Sequence, residues 1–133
     1  MPTLIADILS AGWFNMLARV ILTSFFWVAG LFGLFNFGMM VKVIEEHRLS
    51  SPRTVVAAMI VTELVGSALL ITDYRSLGWL GAGWLGVFTF LSILLGHPFW
   101  KYDPPKKMEE FQLALEHLAV IGGLMCAAVL TTL

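Results

Sequence analysis

Charged residues fall at wide intervals along this chain, and the stretches between them are almost wholly apolar. The first uninterrupted stretch runs from Val20 to Val41, between Arg19 and Lys42, and its residues rise about 33 Å as an α-helix. A second, 54–72, is broken only by Glu63; a third, 77–96, carries no charge at all; a fourth, 111–133, is interrupted only by Glu116 and His117. Ordinary stop signals separate them: Ser50-Ser51-Pro52, then Asp73-Tyr74-Arg75-Ser76, then Pro98 and Asp103-Pro104-Pro105. This pattern predicts four membrane-spanning helices in up-down order, at 20–41, 54–72, 77–96 and 111–133, forming one domain over 1–133. Ahead of them, Leu4, Ile5, Ile8, Leu9, Trp13, Met16 and Leu17 recur at helical spacing, opposite Thr3, Asp7 and Ser10. That segment predicts an interfacial amphipathic helix or an extension of the first span. It holds no Lys or Arg, so it lacks the basic start of a secretory signal and cleavage is not expected.

Composition agrees with the pattern. Of 133 residues, 59% are hydrophobic and 13% charged, with a mean hydropathy of +0.86, whereas soluble domains carry about 25% charged residues. The fold class is therefore an all-α integral membrane protein, a four-helix bundle with little chain outside the bilayer. The net charge is −1 and the eight Lys and Arg make no basic arm or stripe, so nothing points to nucleic acid and none is expected as a partner. The lone Cys126 excludes an internal disulfide, a CxxC dithiol and a cysteine-based zinc site. Lys42, Arg48, Arg53, Lys101, Lys106 and Lys107 follow spans one and three, against Arg75 and at most Arg19 on the other side. The positive-inside rule then places loops 42–53 and 97–110 in the cytoplasm and both termini outside.

Lipid gives helices no hydrophobic reason to associate, so they meet through small residues and scattered polar contacts. Gly78, Ala82 and Gly86 in span three, and Ala119, Gly123 and Ala127 in span four, are the expected packing ladders. Met39, Met40, Met59 and Met125 read as packing residues rather than metal thioethers.

Intramembrane charges cost about 2.5–3.5 kcal/mol each on insertion scales and usually face a protein interior or cavity. Glu63 sits at the middle of span two. Alone there, a carboxyl group favours its neutral form; beside a cation it stays ionised. Arg19 is a candidate partner if the first helix begins near Trp13, and an interfacial anchor if the helix begins at Arg19 itself. Glu116 lies at a depth close to that of Glu63, and His117 follows it directly, about 100° around the helix, so the two cannot aim along one line. Gln112 and Glu110 extend these two stripes toward the loop carrying His97, which closes span three. Taken together, Arg19, Glu63, His97, Glu116 and His117 form a candidate polar site suited to a quinone head group, a proton path or a small anion. The alternative is a set of interhelical hydrogen bonds that fix register. Haem between His97 and His117 is disfavoured, and no metal site or intrinsic cofactor is expected. No nucleotide-binding glycine loop, GxSxG or HExxH is present, so the chain shows no catalytic apparatus of its own.

The same residues carry a family resemblance. Arg19, Ala29-Gly30, Glu63-Leu64-Val65-Gly66, His97-Pro98-Phe99-Trp100 with Asp103-Pro104, and then Phe111 to Gly122-Gly123 follow one another in an order that resembles the DoxX family of small bacterial membrane proteins. The resemblance implies a four-helix protein of the bacterial inner membrane associated with redox systems, since relatives include the membrane subunit of thiosulfate:quinone oxidoreductase. Members commonly carry Ser-Gly-x-x-Lys in the first helix, where this chain reads Ala29-Gly30-Leu31-Phe32-Gly33, and Lys-Asn in the fourth, where it reads Glu116-His117. The expected role is an accessory or anchor subunit of a quinone-linked redox complex, in contact with a membrane protein partner or with further copies of itself. A small proton-coupled carrier or channel, and a purely structural membrane component, are the alternatives.

Overall fold

A computed structural model describes residues 1–133, and all its regular structure is helical. Helix α1 is Thr3–Ser10, α2 Gly12–Phe35, α3 Phe37–Glu46, α4 Pro52–Thr72, α5 Gly78–Gly96 and α6 Lys106–Leu130, with single 3₁₀ turns at Tyr74–Ser76 and Phe99–Lys101. Four helical segments are long and apolar enough to cross a membrane: Gly12–Phe35, Pro52–Thr72, Gly78–Lys101 and Lys106–Leu130. A long charge-poor segment must satisfy its backbone internally in lipid, and only the helix does so within one segment.

The first span is displaced from 20–41. Its helix starts at Gly12 and ends at Phe35, where Asn36 leaves helical geometry (φ −128°, ψ 40°) and its Nδ2 donates to the Phe32 carbonyl at 2.9 Å. Asn36 carries no charge, so a search for charge-free runs passes straight through this break. Beyond it, α3 is amphipathic: Val41 and Ile44 are buried against Val56 and Ile60 of α4, while Lys42, Glu45 and Glu46 are exposed. The last helix likewise starts at Lys106, behind Pro105, rather than at residue 111, and ends at Leu130. Its first turns carry Lys106, Lys107, Glu109 and Glu110, which a helix accommodates outside the hydrocarbon. At the other end, α1 is a helix of its own, separated from α2 by the extended Ala11 and with no buried residue.

Helix α4 packs against α2 on one side and α5 on the other, and α5 against α6; α2 and α6 meet through Leu22 beside Gly123 and Phe25 beside His117. A core of Phe26, Leu70, Ala82, Leu85, Leu124 and Ala127 draws on all four spans. Close approach depends on glycine at two crossings in particular. A Cβ on Gly81 would lie 2.7 Å from the Gly66 carbonyl oxygen and 2.9 Å from the Leu70 nitrogen, and a Cβ on Gly30 would lie 2.9 Å from Leu64 and 3.2 Å from the Cβ of Glu63. The expected ladders hold only in part. Gly78 and Ala82 are buried and Gly86 faces open space; Gly123 and Ala127 pack inward and Ala119 is exposed.

Candidate functional site

Between the four-span core and the α3–α4 cluster lies a cavity of about 600 Å³, within the range of small-ligand sites. Its walls are mostly apolar, with Phe25, Phe88, Met40 and Met59 among them. Into this setting the fold brings Glu63, His97 and His117, three of the five expected site residues.

Glu63 is on the inward face of α4, with 8% of its surface exposed, and its Cβ lies under Gly30 of α2. One turn on, Ser67 is also buried, and its hydroxyl has no hydrogen-bond partner. Glu63 has no cation beside it, because its candidate partner Arg19 turns to the Leu70 carbonyl instead. The one carboxylate within 4 Å of a basic side chain is elsewhere, Glu110, hydrogen-bonded to His97.

Arg19 does lie inside a helix, about two turns from the start of α2 at Gly12. Its Nη1 donates to the Leu70 carbonyl at 3.3 Å. That carbonyl belongs to the last turn of α4, where backbone acceptors have no helical partner and the helix dipole is negative. Leu70 is about 10 Å along the helix from Glu63, too far for one guanidinium to serve both. Arg19 therefore caps a helix end and is not part of the cavity.

His97 ends α5, and its Nδ1 is 2.8 Å from the Glu110 Oε2 on α6. The turn behind it is held to α6 by the Phe99 ring, edge-on to Phe111 at 5.0 Å. His117 is buried; its Nδ1 donates to the Leu113 carbonyl at 2.7 Å, and its ring lies 4.7 Å from that of His97 and 5.1 Å, edge-on, from Phe25. Since adjacent helical positions diverge by about 100°, burying His117 turns Glu116 outward. Glu116 is exposed and accepts from Gln112 Nε2 at 3.3 Å, so it leaves the candidate site.

Several cavity residues carry no mark in the sequence. His47 follows α3 and lines the cavity, with its Nδ1 donating to the Val43 carbonyl at 2.8 Å. Thr62, Thr89 and Ser92 line it as well. Glu110 had a detectable signal: it precedes His117 by two helical turns, on the same face. It also lines a second, polar cavity of about 460 Å³ with Arg48, Lys101, Tyr102 and Lys106, so the His97–Glu110 pair stands between the two. No group of three or more His, Cys, Asp or Glu side chains is arranged to hold a metal ion.

The spans, the small-residue crossings and the inward-facing polar groups define a multi-pass helical membrane protein with a cavity inside its bundle. The DoxX family model matches residues 14–98, and the chain belongs to the DoxX family. The match ends at Pro98, so it includes Arg19, Ala29-Gly30, Glu63 and His97 and stops short of α6, where the sequence resemblance runs on to Gly122-Gly123. No curated protein and no solved structure matches the chain. Within the matched region, Gly30 against Glu63 and Leu64, and Gly66 against Leu85 and Gly81, show that two of the family-like segments are where helices touch.

Proposed function

We propose that this DoxX-family protein is an accessory or anchor subunit of a quinone-linked redox complex, and that its cavity receives the ligand's ring. The observation that carries this reading is the cavity itself, an apolar chamber of about 600 Å³ on which Glu63, His97 and His117 converge. An aromatic ring with polar substituents at its edge suits such walls, because the ring buries apolar area while its substituents meet the few polar groups. The chain has no group that transfers electrons by itself, so the redox centre belongs to a partner. Its setting is the bacterial inner membrane, with loops 42–53 and 97–110 in the cytoplasm and both termini outside, supported by the six Lys and Arg in those loops.

Extraction from the native membrane in mild detergent, followed by mass analysis of what co-purifies, tests the proposal. A recurrent oxidoreductase together with a quinone is the expected result; an isolated homo-oligomer with no small molecule contradicts it. A second reading, proton-coupled transport, draws on one observation, the buried Glu63 with no ion-pair partner at the cavity wall. Under it, Glu63→Gln abolishes proton flux in vesicles while the protein still folds.

A further inference from the structure

The hydrogen-bond inventory of the cavity wall is one-sided. A carbonyl oxygen can only accept, so the proton of His47 is on the Nδ1 that meets Val43, and that of His117 on the Nδ1 that meets Leu113. A neutral imidazole protonated there keeps Nε2 as a lone pair. His97 is held the same way, with Nδ1 donating to the Glu110 carboxylate. Two wall hydroxyls are also committed as donors: Thr89 gives its proton to the Leu85 carbonyl at 2.7 Å, and Ser92 to the Phe88 carbonyl at 2.8 Å. Their oxygens retain only acceptor capacity. Every histidine of the chain thus lines one cavity with its Nδ1 proton spoken for. Against these acceptors, to which the Glu63 carboxyl group adds its oxygens, the Thr62 hydroxyl is the wall's uncommitted donor.

We propose that the cavity is an acceptor site, selecting an aromatic ligand that brings its own donors, a hydroquinone or other phenol, over the quinone that offers only carbonyl oxygens. An ammonium ligand also brings donors, but Phe25, Phe88, Met40 and Met59 make a wall that penalises an unpaired charge far more than a neutral hydroxyl. The inference rests on reading the cavity as the ring-binding site, and adds which redox form it holds. A site whose acceptors match a ligand hydroxyl rejects the analogue that lacks it, because the buried groups are then left unpaired.

The test is calorimetric titration of the full chain in nanodiscs, under anaerobic conditions, with a short-chain benzoquinone and with its hydroquinone. The expected result is hydroquinone binding about tenfold or more tighter, the ratio that one well-made hydrogen bond supplies. In His117→Phe, which removes one Nε2 acceptor, that ratio falls; should this buried substitution impair folding, His47→Phe in the exposed turn after α3 gives the same reading. Equal affinities, or a tighter quinone, overturn the inference while leaving the cavity as the ring site. Binding of neither form overturns both.

Discussion

Two neighbouring residues, Glu116 and His117, have opposite fates, and the cause is helix geometry. One position apart means about 100° of rotation, so burying His117 against Phe25 and His97 commits Glu116 to the outer surface. That the pair would split was legible in the sequence; which member turned inward depended on the rotation of α6, which neither residue fixes alone. Arg19 was legible in the same partial way. Its depth in α2 followed from a helix beginning near Trp13, but its partner is a backbone carbonyl, and carbonyls carry no sequence signature. Replacing Arg19 with Leu keeps the apolar stem and removes the donor to Leu70. The expected loss is about 1–2 kcal/mol of stability, read as a lower unfolding temperature in detergent, with ring binding in the cavity unchanged. A loss of ring binding without loss of stability would return Arg19 to the site.

Among the elements, the α4–α5 crossing is the most exacting. Gly81 faces backbone on α4, and backbone cannot rotate aside as a side chain can. Gly81→Ala is expected to destabilise by about 1–3 kcal/mol through forced separation of the helices. Gly86→Ala, five residues further along α5 and facing open space, is expected to be neutral or to stabilise by up to about 1 kcal/mol from helix propensity. Thermal unfolding of the two variants side by side checks this; equal effects would show that α5 is rotated from the orientation described. The pattern of charge-free runs located α4 and α5 to within two residues, but it cut short the helices that carry charge within them, α2 at Arg19 and α6 at 106–110. It failed where an uncharged residue did the breaking. At Asn36 the backbone leaves helical geometry while its N–H and its side-chain Nδ2 both donate to the Phe32 carbonyl, and beyond this break α3 is a separate helix and one wall of the cavity.

At the scale of the whole molecule, the cavity depends on that extra helix. Met40, Val43 and Ile44 close it from α3, while Glu63, His97 and His117 reach it from three different helix regions. His97 and Glu63 stood out as polar interruptions in apolar runs. His47, Thr89 and Ser92 did not, because hydroxyls and loop histidines are common and only the assembled bundle shows which of them share a space. The molecule's orientation is tested separately. With Cys126 replaced by Ser, single cysteines at Lys107 and at Arg75 should react oppositely with an impermeant maleimide in right-side-out vesicles. Arg75→Cys is expected to label at once, and Lys107→Cys only after permeabilisation; the reverse pattern would invert the topology.

The central claim is that the bundle holds a ring-shaped ligand in the cavity bounded by Glu63, His97 and His117. Photo-crosslinking with a short-chain azidobenzoquinone, presented in oxidised and reduced forms and followed by peptide mapping, tests it most directly. Label concentrated on the segments containing Met59–Glu63, Phe88–His97 and His117, and displaced by excess non-photoreactive ligand, is the predicted result. Label spread over the exposed outer faces, such as Met125 and Val129, and indifferent to competitor would contradict it.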